Sequence, residues 1–174
     1  MTELPDQSRL DGKPPVSTRY EDQDRTLRAL HQLEHAVSAP RGEDGAKWHR
    51  DLLEALTVLQ DAMAEEQANA DRPDSLLSNL AHTQPRLRSR TRGTRVHYQQ
   101  LRHTAAELLR DVAITGALDL ERDDLRRRVA RLASALRYQR GRESDLIYEA
   151  YYDTFEADIE TEITAGGDHR FPTV

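Results

Sequence analysis

Apolar residues recur at steps of three and four along most of the chain, the spacing of one face of an α-helix. Leu27, Leu30, Leu33 and Val37 form such a stripe over residues 18–38, and Pro40 and Gly42 end it. Trp48, Leu52, Leu56, Leu59 and Met63 form a second over 44–69. The run Asp71-Arg-Pro-Asp breaks the pattern, with Asp74 as an N-cap for a short helix from Ser75 to about His82. Pro85 reads as the first-turn proline of a helix over 85–114, with Leu87, Leu101, Ala105, Leu108 and Val112 on its apolar side and Gly116 after it. Asp119 caps a last helix over 120–160, striped by Leu125, Val129, Leu132, Leu136, Leu146 and Ala150. No stretch alternates as a strand would, and no repeat of fixed period is present. Four long helices with short connections predict an all-α fold, an antiparallel up-down-up-down four-helix bundle with a short extra helix between the second and third. The bundle should occupy 18–160. Residues 1–17, with Pro5, Pro14 and Pro15, and 161–174, with Gly166, Gly167 and Pro172, read as loosely ordered flanks.

Each stripe, followed further, runs into polar residues in core phase. The second helix continues to Glu66, the third passes through Tyr98 with His97 beside it, and the fourth passes through Gln139 and Glu143. The first extends back to Gln23 and Tyr20. In an antiparallel hairpin, residues equidistant from the turn face each other. Tyr20 and Glu66 are centred on residue 43, and Tyr98 and Gln139 are centred between 118 and 119. Each stands about 20 residues from its turn, or about 30 Å at the helical rise. Tyr20, Glu66, Tyr98, Gln139 and Glu143 should therefore form one polar layer in the core. Buried carboxylates are costly unless paired, protonated or metal-bound.

A four-helix arrangement with one polar layer resembles the haemerythrin-like (HHE cation-binding) family. The segments LHQLEHAVSAP (30–40), Trp48, LQDAM (59–63), RPDSLL (72–77), PRL (85–87) and RGRESDLIYEAYYD (140–153) resemble bacterial members in the same order, over about residues 18–153. The resemblance implies a bundle that can hold two irons through histidines and carboxylates, with an HxxxE step on one helix, and functions in oxygen binding, oxygen or redox sensing, or iron handling. Carried over position by position, the HxxxE step becomes Gln139-x-x-x-Glu143, and a histidine position of the second helix becomes Glu66. The Glu-His pair of the third becomes His97-Tyr98, and the level of the first holds Tyr20 or Gln23. Three outcomes follow: a metal-free polar core in which Tyr and Gln hydrogen-bond the glutamates, an altered metal site of Glu66, His97 and Glu143, or an intact di-iron site. The first is the reading taken here, with iron as the cofactor of the alternatives.

Composition narrows the chemistry. The 174 residues carry 25 Lys plus Arg against 31 Asp plus Glu, a net charge of −6, and mean hydropathy is −0.82. No apolar run approaches a membrane span, and the first residues lack the apolar core of a secretory signal. There is no cysteine, hence no disulfide and no thiolate chemistry. These features point to a soluble cytoplasmic protein. No GxSxG, nucleotide-binding glycine loop or HExxH is present, so no catalytic constellation emerges and a non-enzymatic interaction or regulatory protein is expected. His31 and His35, at i and i+4, fall at the edge of their stripe and read as surface residues.

The charge is unevenly distributed. Residues 86–142 hold 15 basic and 6 acidic groups, whereas 143–174 hold 1 basic and 9 acidic groups. No nucleic-acid motif accompanies the basic stretch, and aromatics are only 5% of the chain, so solvated arginines are the simpler reading. Tyr148, Tyr151, Tyr152 and Phe155 sit among Glu149, Asp153, Glu156 and Asp158. They read either as side chains packed on the end of the bundle or as a patch for a protein partner or a second copy. In the latter case the acidic end meets the basic surface of another molecule, and association is salt-sensitive.

Overall fold

The computed structural model describes residues 15–40, 45–115 and 121–166, with the side chains of the last helix described to residue 152. The described residues are all-α: α1 (Pro15–Ser38), α2 (Gly45–Ala70), α3 (Leu76–Thr83), a single 3-10 turn (Pro85–Leu87), α4 (Arg88–Ile114) and α5 (Arg122–Gly166). None of these helices is long and apolar enough to cross a membrane. α1 packs on α2, α2 on α4, α4 on α5, and α5 on α1, so each long helix has two long neighbours.

The element boundaries refine the sequence reading at several points. Residues 15–17, expected in a loose flank, are the first turn of α1, where a leading proline costs no hydrogen bond. α3 is capped by Ser75 rather than Asp74. The Ser75 hydroxyl accepts from the Ser78 amide at 3.2 Å, while Asp74 pairs with Arg72. Pro85 opens a 3-10 turn that leads into α4, and Thr91 Oγ1 donates back to the Leu87 carbonyl at the junction. α5 continues past 160 to Gly166, so part of the expected tail is helical. The expectations for 1–14, for the Asp119 cap and for 167–174 fall outside the described residues.

Cross-links fix how the helices meet. At one end, Trp48 Nε1 donates to the Ala36 carbonyl at 3.1 Å, and a His49 ring nitrogen lies 2.9 Å from the Val112 carbonyl. At the other, Asn69 of α2 reaches Asp22 of α1, and Arg90 of α4 pairs with Glu149 of α5. The larger core lies toward the first end and contains Leu30, Leu33, Leu56, Leu59, Leu108 and Leu136. A second, smaller core is built where α3 folds over the other end, from Leu76, Leu77, Leu80, Leu87, Leu146 and Ile147. The polar layer lies between the two. α3 therefore covers this end of the fold, above the charges.

Candidate functional site: a buried ion-pair centre

Four of the five side chains expected in the polar layer are buried: Glu66, Tyr98, Gln139 and Glu143, the two glutamates with no exposed surface. Tyr20 is not among them. It is 49% exposed, and its neighbour Arg19 points inward instead. The reason is helical phase. From Leu30, steps of four, three and four lead through Thr26 and Gln23 to Arg19, and all three are buried.

Arg19 is the hub of the centre. Its Nε and Nη2 donate to the two oxygens of Glu143, the second at 2.6 Å. Its Nη1 lies 3.1 Å from Glu66 Oε1, so one guanidinium spans both carboxylates. Arg140 of α5 then grips Glu66 from the other side, with Nη1 on Oε1 and Nη2 on Oε2, the latter at 2.6 Å. This planar fork suits a carboxylate in a way that no ammonium can. Tyr98 Oη and Thr26 Oγ1 also donate to Glu66 Oε2, at 2.7 and 2.5 Å, and Gln23 Nε2 donates to Glu143 Oε1 at 3.1 Å. All four carboxylate oxygens are thus occupied by donors. Two buried anions are balanced by two cations, Arg19 buried and Arg140 11% exposed.

The electrostatics follow from burial and these contacts. Burial alone would raise the Glu66 carboxyl. The hydrogen bonds and charge of Arg140, then the charge of Arg19 and the Thr26 hydroxyl, outweigh it and hold the group below the ordinary carboxylate value. For Arg19 and Arg140, burial pushes toward the neutral form. The facing glutamates overcome this and raise both above the usual guanidinium value. Burial, reinforced by the Glu66 charge, pushes the Tyr98 phenol well above its ordinary value, so Tyr98 remains a donor. Asp22, on the outer edge of the layer, is also raised by burial. Its bond from Asn69 Nδ2 at 2.9 Å and Arg25 at 3.5 Å offset this only in part.

Gln139 and His97 form a separate pair. Gln139 Nε2 donates to the Thr94 carbonyl at 3.0 Å, which fixes the amide orientation. Its Oε1 then faces His97 Nδ1 at 2.5 Å, so the proton of the neutral imidazole sits on Nδ1. His97 is turned toward Gln139, and the suggested ligand set of Glu66, His97 and Glu143 is not drawn together. Among the described residues no three His, Asp or Glu side chains are grouped so as to hold a metal ion. As arranged, the side chains do not fit a di-iron centre. Guanidiniums stand where cations would bind, and each carboxylate oxygen that a metal would use already accepts a hydrogen bond.

Beside the centre, Thr18, Asp22, Asn69, Leu76 and Leu77 line a cleft of about 250 Å³ that reaches down to Arg19. A cavity of about 10 Å³, near the volume of one water, adjoins Arg19, Tyr98 and Gln139. Sequence reasoning missed Arg19, Arg140, Thr26 and Asp22. His31 and His35 are exposed, as their position at the edge of the stripe suggested. Tyr148, Tyr151 and Tyr152 do not pack on the end of the fold. All three are exposed, and the Tyr148 and Tyr152 rings stack with centroids 6.1 Å apart. They follow Ile147 and Ala150, which take the inward positions of that turn. The side chain of Phe155 lies outside the described residues. No family model, no curated protein and no solved structure matches this chain.

Proposed function

We propose that this chain is a non-enzymatic interaction or regulatory protein, built as an antiparallel up-down-up-down four-helix bundle of haemerythrin-like type. In this reading two arginines replace the metal ions of such a bundle. The direction of the helices is supported by the cross-links, in which the end of α1 meets the start of α2 and the end of α2 meets the start of α4. The functional reading is carried by one observation: Arg19 and Arg140 engage every oxygen of Glu66 and Glu143. A guanidinium cannot change valence, bind oxygen or accept an electron pair, so the centre as built holds helices together and offers no reactive position. The cytoplasm is the compartment that suits a cysteine-free chain of this kind.

The test is metal content, measured by mass spectrometry on untagged protein from iron-supplemented cells and again after anaerobic loading with ferrous iron. The expected result is no stoichiometric metal and no near-ultraviolet charge-transfer absorption. About two irons per chain, as the resemblance implies for metal-binding members, would overturn the proposal in favour of an iron-dependent oxygen or redox sensor.

A further inference from the structure

The outer face of α5 carries a pattern that contacts among the described residues do not explain, apart from the Arg142 guanidinium 5.9 Å above the Tyr138 ring. Arg131, Tyr138 and Asp145 are spaced by seven residues and so lie within about 20° of one line along the helix. All three are exposed, Tyr138 to 65%. Arg131 and Asp145 have no ion-pair partner among the described residues, although most arginines around them do. Gly141 shares this face in the middle of the longest helix. A Cβ there would meet nothing within 4 Å, so packing within the chain gives no reason for a residue that disfavours helix.

We propose that α5 is a dimerisation helix. It pairs antiparallel with α5 of a second copy about a twofold axis at Tyr138. Tyr138 is the midpoint between Arg131 and Asp145. A twofold axis there sets Arg131 of each copy against Asp145 of the other, twice, and brings the two Tyr138 rings together. The same register places Gly141 opposite Ala135 of the second copy, where the missing Cβ lets the two backbones approach. Small side chains at Ala130, Ser134 and Ala135 already form a shallow depression beside Tyr138 that can take a ring. An isologous interface must be self-complementary, and this face has a cation and an anion at equal distances from an aromatic centre. The wider charge pattern agrees. In this register residues 122–137, with six arginines and two aspartates, lie against 139–154 of the second copy, with four carboxylates and two arginines, so association should weaken with salt.

The surface gives the interaction reading a partner, but it stands apart from the ion-pair centre. Metal content and assembly state are separate readouts. A metal-bearing dimer would overturn the functional proposal alone, and a metal-free monomer this one alone. The experiment is sedimentation velocity of the full chain from micromolar to millimolar concentration, at low and high salt. The mass should rise from one chain to two with concentration and fall back with salt. Arg131→Glu or Asp145→Arg alone should weaken the dimer about tenfold or more, and the double variant, which restores opposite charges across the axis, should recover it. Gly141→Leu should abolish association while the thermal midpoint holds or rises, which separates a lost interface from a lost fold. A monomer at every concentration in low salt would overturn the proposal. So would a dimer indifferent to the single reversals, or a double variant no better than either single one.

Discussion

Arg19 and Glu143 lie 124 positions apart and meet as a two-pronged ion pair, Nε and Nη2 of one against Oε1 and Oε2 of the other. The pair ties α1 to α5 at the level where the apolar core is interrupted. Removing one partner strands a charge in a site with almost no exposed surface. Arg19→Met should therefore cost about 3–5 kcal/mol in urea unfolding. The double variant Arg19→Met, Glu143→Leu should be less destabilised than Arg19→Met alone, because Glu66 and Arg140 still balance each other. A double variant as unstable as the sum of the two single ones would mean that the pair is not coupled.

The lowered Glu66 carboxyl makes a specific acid sensitivity. Its folded-state value lies below its unfolded one, so its contribution is present above the unfolded carboxylate range and is lost as pH falls through the folded value. Glu66→Gln should be strongly destabilising near neutrality. The gap between variant and parent should then narrow below about pH 4. Urea midpoints measured across pH for both proteins check this, and a gap independent of pH would contradict it.

Asp22 has the opposite sign. Burial raises its folded-state value, so this group favours folding less as pH rises through the interval between its unfolded and folded values. Asp22→Asn keeps a partner for Asn69 and removes the buried charge. It should be more stable than the parent near neutrality and equal to it at acid pH, as read from thermal midpoints at several pH values. A neutral-pH loss of stability would mean that Arg25 and Arg19 compensate the carboxylate fully.

Much of this arrangement was legible in the spacing of apolar residues, and the part that was not has a physical cause. Glu66, Tyr98, Gln139 and Glu143 continue stripes of leucines, and phase alone put them inside. Arg19 and Arg140 are equally in phase, as Leu30–Thr26–Gln23–Arg19 and Leu136–Arg140–Glu143 show. They were overlooked because arginine usually covers solvent faces, and an abundance of surface arginines hides the two that turn inward. On α1 both Arg19 and Tyr20 satisfy a step of three or four from Gln23, and the sequence does not choose between them. The structure does: two carboxylates need countercharge, and a phenol supplies none. The mutual presence of Glu66 and Glu143 in core positions was the signal that pointed to inward cations.

Tyr98 gives a finer measure of the same site. Its hydroxyl is one of three donors on Glu66 Oε2, with Thr26 and Arg140. Tyr98→Phe keeps the ring against the core and deletes one hydrogen bond to a charged group. The expected loss is about 1.5 kcal/mol, the lower end for such a bond, since the oxygen retains two donors. Thermal unfolding of Tyr98→Phe beside Thr26→Ala tests whether the donors substitute for one another. Singles that cost little and a double that costs much more would show that they do.

The strongest demand on the ion-pair centre comes from taking both cations away. In the parent protein Arg19 and Arg140 satisfy the two glutamates, so Mn²⁺ has nothing to gain there and should leave the thermal midpoint unchanged. In Arg19→Ala, Arg140→Ala the two carboxylates remain buried with Tyr98, Thr26 and Gln23 around them and no countercharge. Each then either takes up a proton or draws in a cation through the cleft beside Asp22. The variant should be much less stable than the parent, with its remaining stability higher at acid pH, where the glutamates are neutral. Near neutral pH, Mn²⁺ should raise its midpoint in a concentration-dependent way, by mass action on the folded state. A variant that folds and ignores Mn²⁺ would show that the glutamates relax apart once the guanidiniums are gone. The arginines would then be positioning the carboxylates as well as neutralising them.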